Sequence, residues 1–139
     1  MYLLDTDILS NLMKRAPSTT LIAKLASVPP GQQSTSSISL GELIYGAHRL
    51  KDRTQSLLQR LDSILLPNLP IYPFDVSAAR RYGELRAVME TKGMLVGDAD
   101  LRIAAIALCR DLTVVTGNVQ HFQRIPALSV EDWLEKEGA

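Results

Sequence analysis

The segment from Leu95 to Cys109, LVGDADLRIAAIALC, constrains the fold more than any other stretch of this sequence. After Arg102 its residues are apolar on every side of a helix, which is typical of a helix buried in the core. Two carboxylates, Asp98 and Asp100, stand at the entrance of this apolar run. Burying an ionised carboxylate without a partner is costly, so both acids require an explanation from their surroundings.

The spacing of these two acids predicts different environments for them. Asp98 directly follows Gly97, and we predict that it caps the helix by accepting bonds from free backbone N–H groups of the first turn. Asp100 lies two residues further on, a rotation of about 200°. It therefore falls on the apolar face of the helix, and we predict that it points inward and meets something other than water.

Length and composition indicate one globular domain over residues 1–139, located in the cytoplasm. With 46% hydrophobic and 22% charged residues, the chain can form one core and is not disordered. It has no apolar run of about 18 residues that would span a membrane, and its first residues, MYLLDTD, do not resemble a signal peptide. We interpret the single cysteine, Cys109, as an inert core thiol. Acidic and basic residues number 15 each, so net charge does not indicate a nucleic-acid partner.

Short apolar segments alternate with helical patterns along the chain. Strands are predicted at residues 2–4, 33–38, 71–74, 112–116 and 128–130. Helices are predicted between them, including residues 39–50, 53–66 and a long helix that Asp75 caps and Gly93 ends. Strands separated by helices predict an α/β sandwich built on a mostly parallel central sheet.

Four polar positions are candidates for chemistry: Asp5, Glu42, Asp100 and Asn118. In parallel sheets, ligands bind at the carboxyl ends of the strands, where the strand order switches. Asp5 and Asn118 follow predicted strands directly, and the other two lie near helix starts. Each also has a structural alternative, because Asp5 or Asp7 could cap the first helix and Asn118 is a common turn residue.

Glu42 and Asp100 have alternatives of the same kind. Glu42 could be the second half of a capping box that begins at Ser39. Asp100 could simply stabilise the positive end of the helix dipole. These alternatives remain open for each acid considered alone.

Convergence of the acids would require a cation. Two like charges about 4 Å apart repel by roughly 4 kcal/mol at an effective dielectric constant near 20, so such a cluster needs a counterion or raised pKa values. Oxygen ligands without His or Cys favour Mg²⁺ or Mn²⁺. A bound ion of this kind can activate water against a phosphodiester. We therefore predict a metal site formed by Asp5, Glu42 and Asp100, with Asn118 as a fourth catalytic position.

Four blocks of the chain resemble the PIN-domain family, and within it most closely the VapC toxins of toxin–antitoxin pairs. They are LLDTDILS, SSISLGELIYGAHRL, GDADLRIAAIAL and VVTGNVQHFQRIPALSVEDW. The resemblance implies a Rossmann-like α/β/α sandwich and an Mg²⁺- or Mn²⁺-dependent endoribonuclease. It also implies a structured RNA substrate such as tRNA or ribosomal RNA, a VapB-type antitoxin as partner, and a homodimer.

The resemblance also assigns individual positions. It places the family's acidic positions and the fourth position on Asp5, Glu42, Asp100 and Asn118. Many members carry Asp where this chain has Asn118, and Thr116 matches a hydroxyl position near the site. Asp7 stands where Asn is frequent, and Asp98 is an additional acid. We expect Asp98 to support the metal ligands without binding the ion itself, and so to supply the negative charge that Asn118 lacks.

Residues on the face of Glu42 are candidates for RNA binding. Gly46 and Arg49 follow Glu42 by four and seven residues, so they share its helical face. We hypothesise that Gly46 leaves room for the RNA backbone and that Arg49 contacts phosphate, with close helix packing as the alternative role of Gly46. We interpret His48 and His121 as surface residues.

Two other functions compete with the nuclease. The D-x-D at Asp5 and Asp7 resembles haloacid dehalogenase-type phosphatases, in which Asp5 would be the nucleophile and Lys92 and Asp98 could assist. That alternative is weak because the segment before Asp98 is too short for a buried strand. A non-catalytic PIN-like module that binds RNA or protein is the second competitor, but a binding surface has no need to gather acids.

Overall fold

Five parallel strands form the central sheet of the computed structural model, which describes residues 1–134. The strands are β1 (Tyr2–Leu4), β2 (Gln33–Ser36), β3 (Ile71–Tyr72), β4 (Thr113–Val115) and β5 (Val130–Glu131). Their order across the sheet is β3-β2-β1-β4-β5, so β3 lies at an edge and the order switches between β1 and β4. The predicted α/β architecture on a parallel sheet is confirmed.

Helices connect the strands and cover both faces of the sheet. The helices are α1 (Thr6–Leu12), α2 (Thr19–Ser27), α3 (Ser37–Arg49), α4 (Thr54–Arg60), α5 (Val76–Thr91), α6 (Asp98–Arg110) and α7 (Val119–Gln123). The helix predicted over residues 53–66 changes type along its length, because α4 ends at Arg60 and continues as a π-helix over Leu61–Leu65. Among residues 1–134, no helix is both long and apolar enough to cross a membrane.

Apolar side chains alternate between the two faces of the central strands, and they form two apolar cores, one on each face of the sheet. Leu3 and Val114 belong to the core formed with α5 and α6, whereas Leu4 and Val115 belong to the core formed with α1 and α2. This division follows from the period of two in a β-strand, which directs successive side chains to opposite faces. The buried ring of Trp133 closes the second core.

The polarity of β2 has a structural reason. Ser34 and Thr35 are fully buried, and their hydroxyls donate to the carbonyl oxygens of Tyr2 at 2.7 Å and Leu4 at 2.8 Å in β1. Buried polar groups are tolerated when they are hydrogen-bonded. The hydroxyls therefore tie β2 to β1, and this strand does not need apolar side chains to be buried.

The third helix begins earlier than predicted. Its cap is Ser36, whose side chain accepts from the Ser39 backbone N–H at 3.0 Å, so α3 starts at Ser37 and β2 ends before it. The predicted capping box of Ser39 and Glu42 is therefore wrong. Glu42 lies in the second turn of α3, and its carboxylate is available for other contacts.

The apolar helix at the centre of the sequence is buried as predicted. Residues 103–107 of α6 are at most 1% exposed. Cys109 is an exception, because it lies on an exposed side near the end of the helix, and its interpretation as a core thiol is wrong. The predicted limits of the preceding helix are confirmed: Asp75 accepts from the Ala78 N–H at 3.0 Å, and Gly93 has a φ of 69°.

Candidate active site at the carboxyl edge of the sheet

The switch in strand order brings Asp5 beside Thr116. Asp5 directly follows β1 and Thr116 directly follows β4, and the two strands are neighbours in the sheet. The Asp5 backbone N–H donates to the Val115 carbonyl at 2.9 Å, and the Thr116 hydroxyl donates to Asp5 Oδ2 at 2.9 Å. Asp5 is only 4% exposed. This position is where ligands bind in open parallel sheets.

Asp7 lies next to this pair, in the first turn of α1. Its Oδ2 accepts from the Gly117 N–H at 2.8 Å, and Thr116 also approaches its Oδ1 at 3.5 Å. A Cβ atom at Gly117 would lie 2.8 Å from Asp7 Oδ2. Only glycine therefore allows the chain after β4 to approach this carboxylate so closely.

Glu42 reaches the same edge from α3. Its Oε1 accepts from the Thr6 hydroxyl at 2.6 Å, which links α3 to the start of α1. Thr6 immediately follows Asp5 in sequence, so the contact places Glu42 beside the end of β1. Glu42 therefore makes a contact at the predicted site and does not cap α3.

Asp100 approaches from α6, and its side chain is 25% exposed. Its Oδ2 lies 3.5 Å from Nδ1 of His121, which belongs to α7. Asn118 directly precedes α7, and its backbone N–H donates to the Thr116 hydroxyl at 2.9 Å. The sequence interpretation of His121 as a surface residue missed its contact with Asp100. No local sequence pattern signals this contact, because Asp100 lies 21 residues earlier in the chain, on another helix.

Asp98 does not take part in this arrangement. The cap of α6 is Gly97, and Asp98 makes no capping bond, so the predicted N-cap role is wrong. Its carboxylate instead lies 2.8 Å from Nη2 of Arg102 and accepts from the hydroxyl of Tyr82 in α5. The carboxylate of Asp98 is held by Tyr82 of α5 and by Arg102, and its expected role behind the metal ligands stays a prediction.

One open cleft of about 520 Å³ brings together the four predicted catalytic positions and Asp7. It is lined by Asp5, Asp7, Glu42, Asp100 and Asn118. Lys14, at the end of the α1 segment, also lines the cleft, and sequence analysis did not single it out. The cleft therefore combines four carboxylates with one amine.

Residues 2–128 match the family described as PIN domain. The chain belongs to the PIN-domain family. Ribonuclease VapC2 of Rickettsia felis is 37% identical over 138 residues, which cover 96% of this chain and 98% of that protein. A tRNA(fMet)-specific endonuclease VapC of Shigella flexneri is 31% identical, with 95% of this chain and 97% of that protein covered.

Solved structures also show similarity to VapC proteins. VapBC2 from Rickettsia felis, bound to a DNA fragment from its promoter, contains a chain with a TM-score of 0.87 and 34% identity, covering 95% of this chain and 98% of that chain. The PIN-domain fold predicted from the four sequence blocks is confirmed. The phosphatase alternative finds no support in these comparisons.

Burial, together with repulsion by nearby carboxylates, raises the pKa values of Asp5, Asp7 and Asp100 in this PIN-domain cleft. The pKa of Asp5 rises to about 7, chiefly through burial, and the charges of Asp7 and Asp100 raise it further. Burial also raises the pKa of Asp7 and Asp100, and Asp100 is affected in addition by Glu42. The His121 side chain opposes the shift at Asp100. The acids therefore act on one another electrostatically, although they come from distant segments.

The donor chemistry of the PIN-domain cleft fits a hard divalent cation. The carboxylates of Asp5, Glu42 and Asp100 offer only oxygen, which Mg²⁺ and Mn²⁺ prefer. Among residues 1–134, however, no three acidic, histidine or cysteine side chains are already arranged to hold one ion. Closing three carboxylates around an ion therefore requires side-chain movement within the cleft.

Of the two predicted RNA-binding positions on α3, Arg49 is exposed and Gly46 is half-buried. The guanidinium of Arg49 lies over the ring of Tyr45, 5.7 Å from its centroid. A Cβ atom added at Gly46 would meet nothing within 4 Å. The close-packing alternative for Gly46 is therefore wrong within the described chain, whereas the RNA-binding roles of Gly46 and Arg49 stay predictions.

Proposed function

We propose that this PIN-domain chain is an endoribonuclease toxin of the VapC type. The observation that supports the proposal most directly is the gathering of acids from three distant segments in one cleft at the strand-order switch. Ribonuclease VapC2 of Rickettsia felis is named as a ribonuclease, and the relative from Shigella flexneri is named as an endonuclease specific for tRNA(fMet). We propose a structured RNA of the tRNA or ribosomal RNA class as substrate, which would place the activity in the cytoplasm.

The carboxylates have distinct roles in the proposed reaction. Asp5, Glu42 and Asp100 would hold Mg²⁺ or Mn²⁺, which supplies an activated water and stabilises charge on the phosphodiester. Asp5 is oriented by the Thr116 hydroxyl. Asn118 adds an uncharged polar side chain at the edge of the cleft, where it would contact the phosphate without adding repulsion.

Asp7 has a positioning role in this proposal. Its carboxylate accepts from the Gly117 N–H, which joins α1 to the segment after β4. The contact fixes the spacing between Asp5 and Asn118. Asp7 therefore shapes the site through the backbone, and it needs no direct bond to the ion.

A VapB-type antitoxin is the proposed partner. Complexes of this kind occur among the similar structures, including VapBC2 from Rickettsia felis. An antitoxin that covers the cleft would exclude RNA from the acids. The homodimer implied by the resemblance stays a prediction.

Cleavage assays on purified protein test the proposed function. We expect Asp5→Asn and Asp100→Asn each to lower RNA cleavage by at least about 100-fold, because losing a group that merely supports metal ligands already costs about 10- to 100-fold. EDTA should abolish cleavage by the parent protein, and Mg²⁺ or Mn²⁺ should restore it. Circular dichroism would verify that both variants are folded.

Asp111→Asn is a suitable control, since this exposed acid follows the far end of α6. It should cleave like the parent. Cleavage that persists in both cleft variants would contradict the assigned roles. A folded parent protein that binds RNA without cutting it would favour the non-catalytic module.

A further inference from the structure

An apolar groove lies beside the acidic cleft, between α1, α3 and α4. It has a volume of about 270 Å³. Its floor includes Met13, Leu43, Ala47 and Leu57, and we call it the side groove. Lys14 and Glu42 line both the side groove and the cleft, so the two are continuous. A ligand strand can therefore occupy both at once.

Two cations stand along the side groove. Lys14 and Arg53 both line it and are exposed. Among residues 1–134 neither side chain has an acidic partner, although Glu42 lines the same groove. Exposed, unpaired cations can bind the phosphates of a ligand. The apolar floor beside them can pack against a flat apolar face of the same ligand.

We infer that the side groove binds one nucleobase of the RNA next to the cleaved phosphodiester, while Lys14 and Arg53 bind its phosphates. This inference rests on the proposed function. Nucleobases have apolar faces that can be buried in such a groove. An apolar protein segment would also fit the floor, but a polyanion accounts in addition for the two unpaired cations and for the continuity with the cleft.

Gly46 makes the inference testable without disturbing the fold. It lines the side groove, and a side chain there would enter open space. Gly46→Leu should therefore fill the groove, and helix propensity favours the change. Gly41→Leu is the matched control, because Gly41 lies in the same helix, has equally open surroundings and does not line the groove.

The test uses a single-stranded RNA oligonucleotide that the parent protein cuts at one mapped bond. Two further oligonucleotides carry an abasic nucleotide immediately on the 5′ or the 3′ side of that bond. One of these should lower kcat/KM of the parent by about tenfold, the size expected for one lost base contact. Gly46→Leu should lose about tenfold on the intact RNA and should show no further loss on that abasic RNA. Gly41→Leu should keep the abasic penalty of the parent.

The two cations are tested by salt dependence in the cleavage-deficient Asp5→Asn protein. Lys14→Gln and Arg53→Gln should each reduce the slope of log Kd against log salt by about 0.7, the value for one phosphate contact on a single strand. Lys92→Gln, at the end of α5, should leave the slope unchanged. Fluorescence anisotropy with the labelled oligonucleotide measures all three.

Three outcomes would overturn either this inference or the proposed function. An abasic penalty that persists in Gly46→Leu would overturn the inference while the proposed function stands. Normal cleavage by Gly46→Leu, together with loss of binding to a co-expressed protein partner, would assign the groove to that partner and also overturn the inference. A parent protein that cuts no RNA would overturn the proposed function, and this is detected before any variant is compared.

Discussion

Asp98 and Asp100 occupy the same turn of α6 but face different regions of the molecule. Asp98 faces α5, where Arg86 lies at 3.8 Å, and it also pairs with Arg102 of its own helix at 2.8 Å. Asp100 faces the cleft, where burial and the charges of Glu42 and Asp7 raise its pKa and His121 opposes the rise. The same residue type in the same turn is therefore paired on one side and crowded by like charges on the other.

The difference separates structural charge from functional charge. On the α5 side, cations and a tyrosine hydroxyl satisfy the acid, which favours the folded state. On the cleft side, the buried Asp5 and the half-buried Asp7 and Asp100 are held near one another at a cost in stability, as expected of a site that is organised for binding. Substitutions in the two regions should therefore change stability in opposite directions.

The largest expected effect concerns Asp5, the most buried acid of the cleft. Its folded-state pKa of about 7 exceeds the ordinary value of 3.8, so the folded protein binds more protons between these values and loses stability as pH rises through them. A gap of about three pKa units corresponds to at most about 4 kcal/mol. In EDTA, Asp5→Asn should therefore be more stable than the parent at pH 8, and this gain should disappear near pH 4.

Urea unfolding at the two pH values measures this difference. Adding Mg²⁺ should stabilise the parent at pH 8 and should stabilise Asp5→Asn much less, because a ligand is missing. Equal free energies of unfolding at pH 8 in EDTA would show that the cleft acids carry no stability cost.

A smaller effect is expected from Gly117→Ala. The new Cβ would lie 2.8 Å from Asp7 Oδ2 and 3.0 Å from Leu134 Cδ1. Overpacking of this kind costs about 1–3 kcal/mol, and it should also displace the Asp7 carboxylate. Thermal unfolding and the cleavage assay would detect the two consequences.

Gly97→Ala is the matched control beside Asp100. Its Cβ would lie at an ordinary 3.7 Å from Asp100 Oδ2, so we expect only the loss of a favourable cap residue, about 0.5 kcal/mol. A larger loss at Gly97 than at Gly117 would contradict the steric account of the cleft.

The smallest effect is expected at Asp98. Its ion pair with Arg102 is half-exposed, and exposed pairs contribute about 0–1 kcal/mol. Asp98→Asn should therefore lower the free energy of unfolding slightly and leave RNA cleavage close to that of the parent. If Asp98→Asn instead lost cleavage as severely as Asp100→Asn, the two sides of α6 would not be functionally distinct.

The sequence predicted the elements whose periodicity is strong. β1 and β4 are short, mainly apolar strands and residues 103–109 of α6 are apolar, and the placement of these elements brings Asp5 and Asp100 to one edge of the sheet. The position of Asp7 near the site could also be anticipated, because it matches a position of the PIN-domain family at which Asn is frequent.

Tertiary contacts decided what the sequence could not. Ser36 and Ser39 are both plausible caps, and the pairing of β2 with its neighbours determines that Ser36 is used. Asp98 could not be placed without Tyr82, which lies 16 residues away on another helix. Lys14 and His121 reach the cleft only because of how α1 and α7 approach the sheet, and no local pattern reports that approach.

The exposed thiol of Cys109 gives α6 a natural attachment point for a spectroscopic probe. It is the single cysteine of the chain, and it lies on the same helix as Asp100 at about 13 Å along the axis. A maleimide dye attached there would lie on the same helix whose N-terminal end borders the acids of the cleft. Binding events in the cleft could then be followed by fluorescence in the unmutated protein.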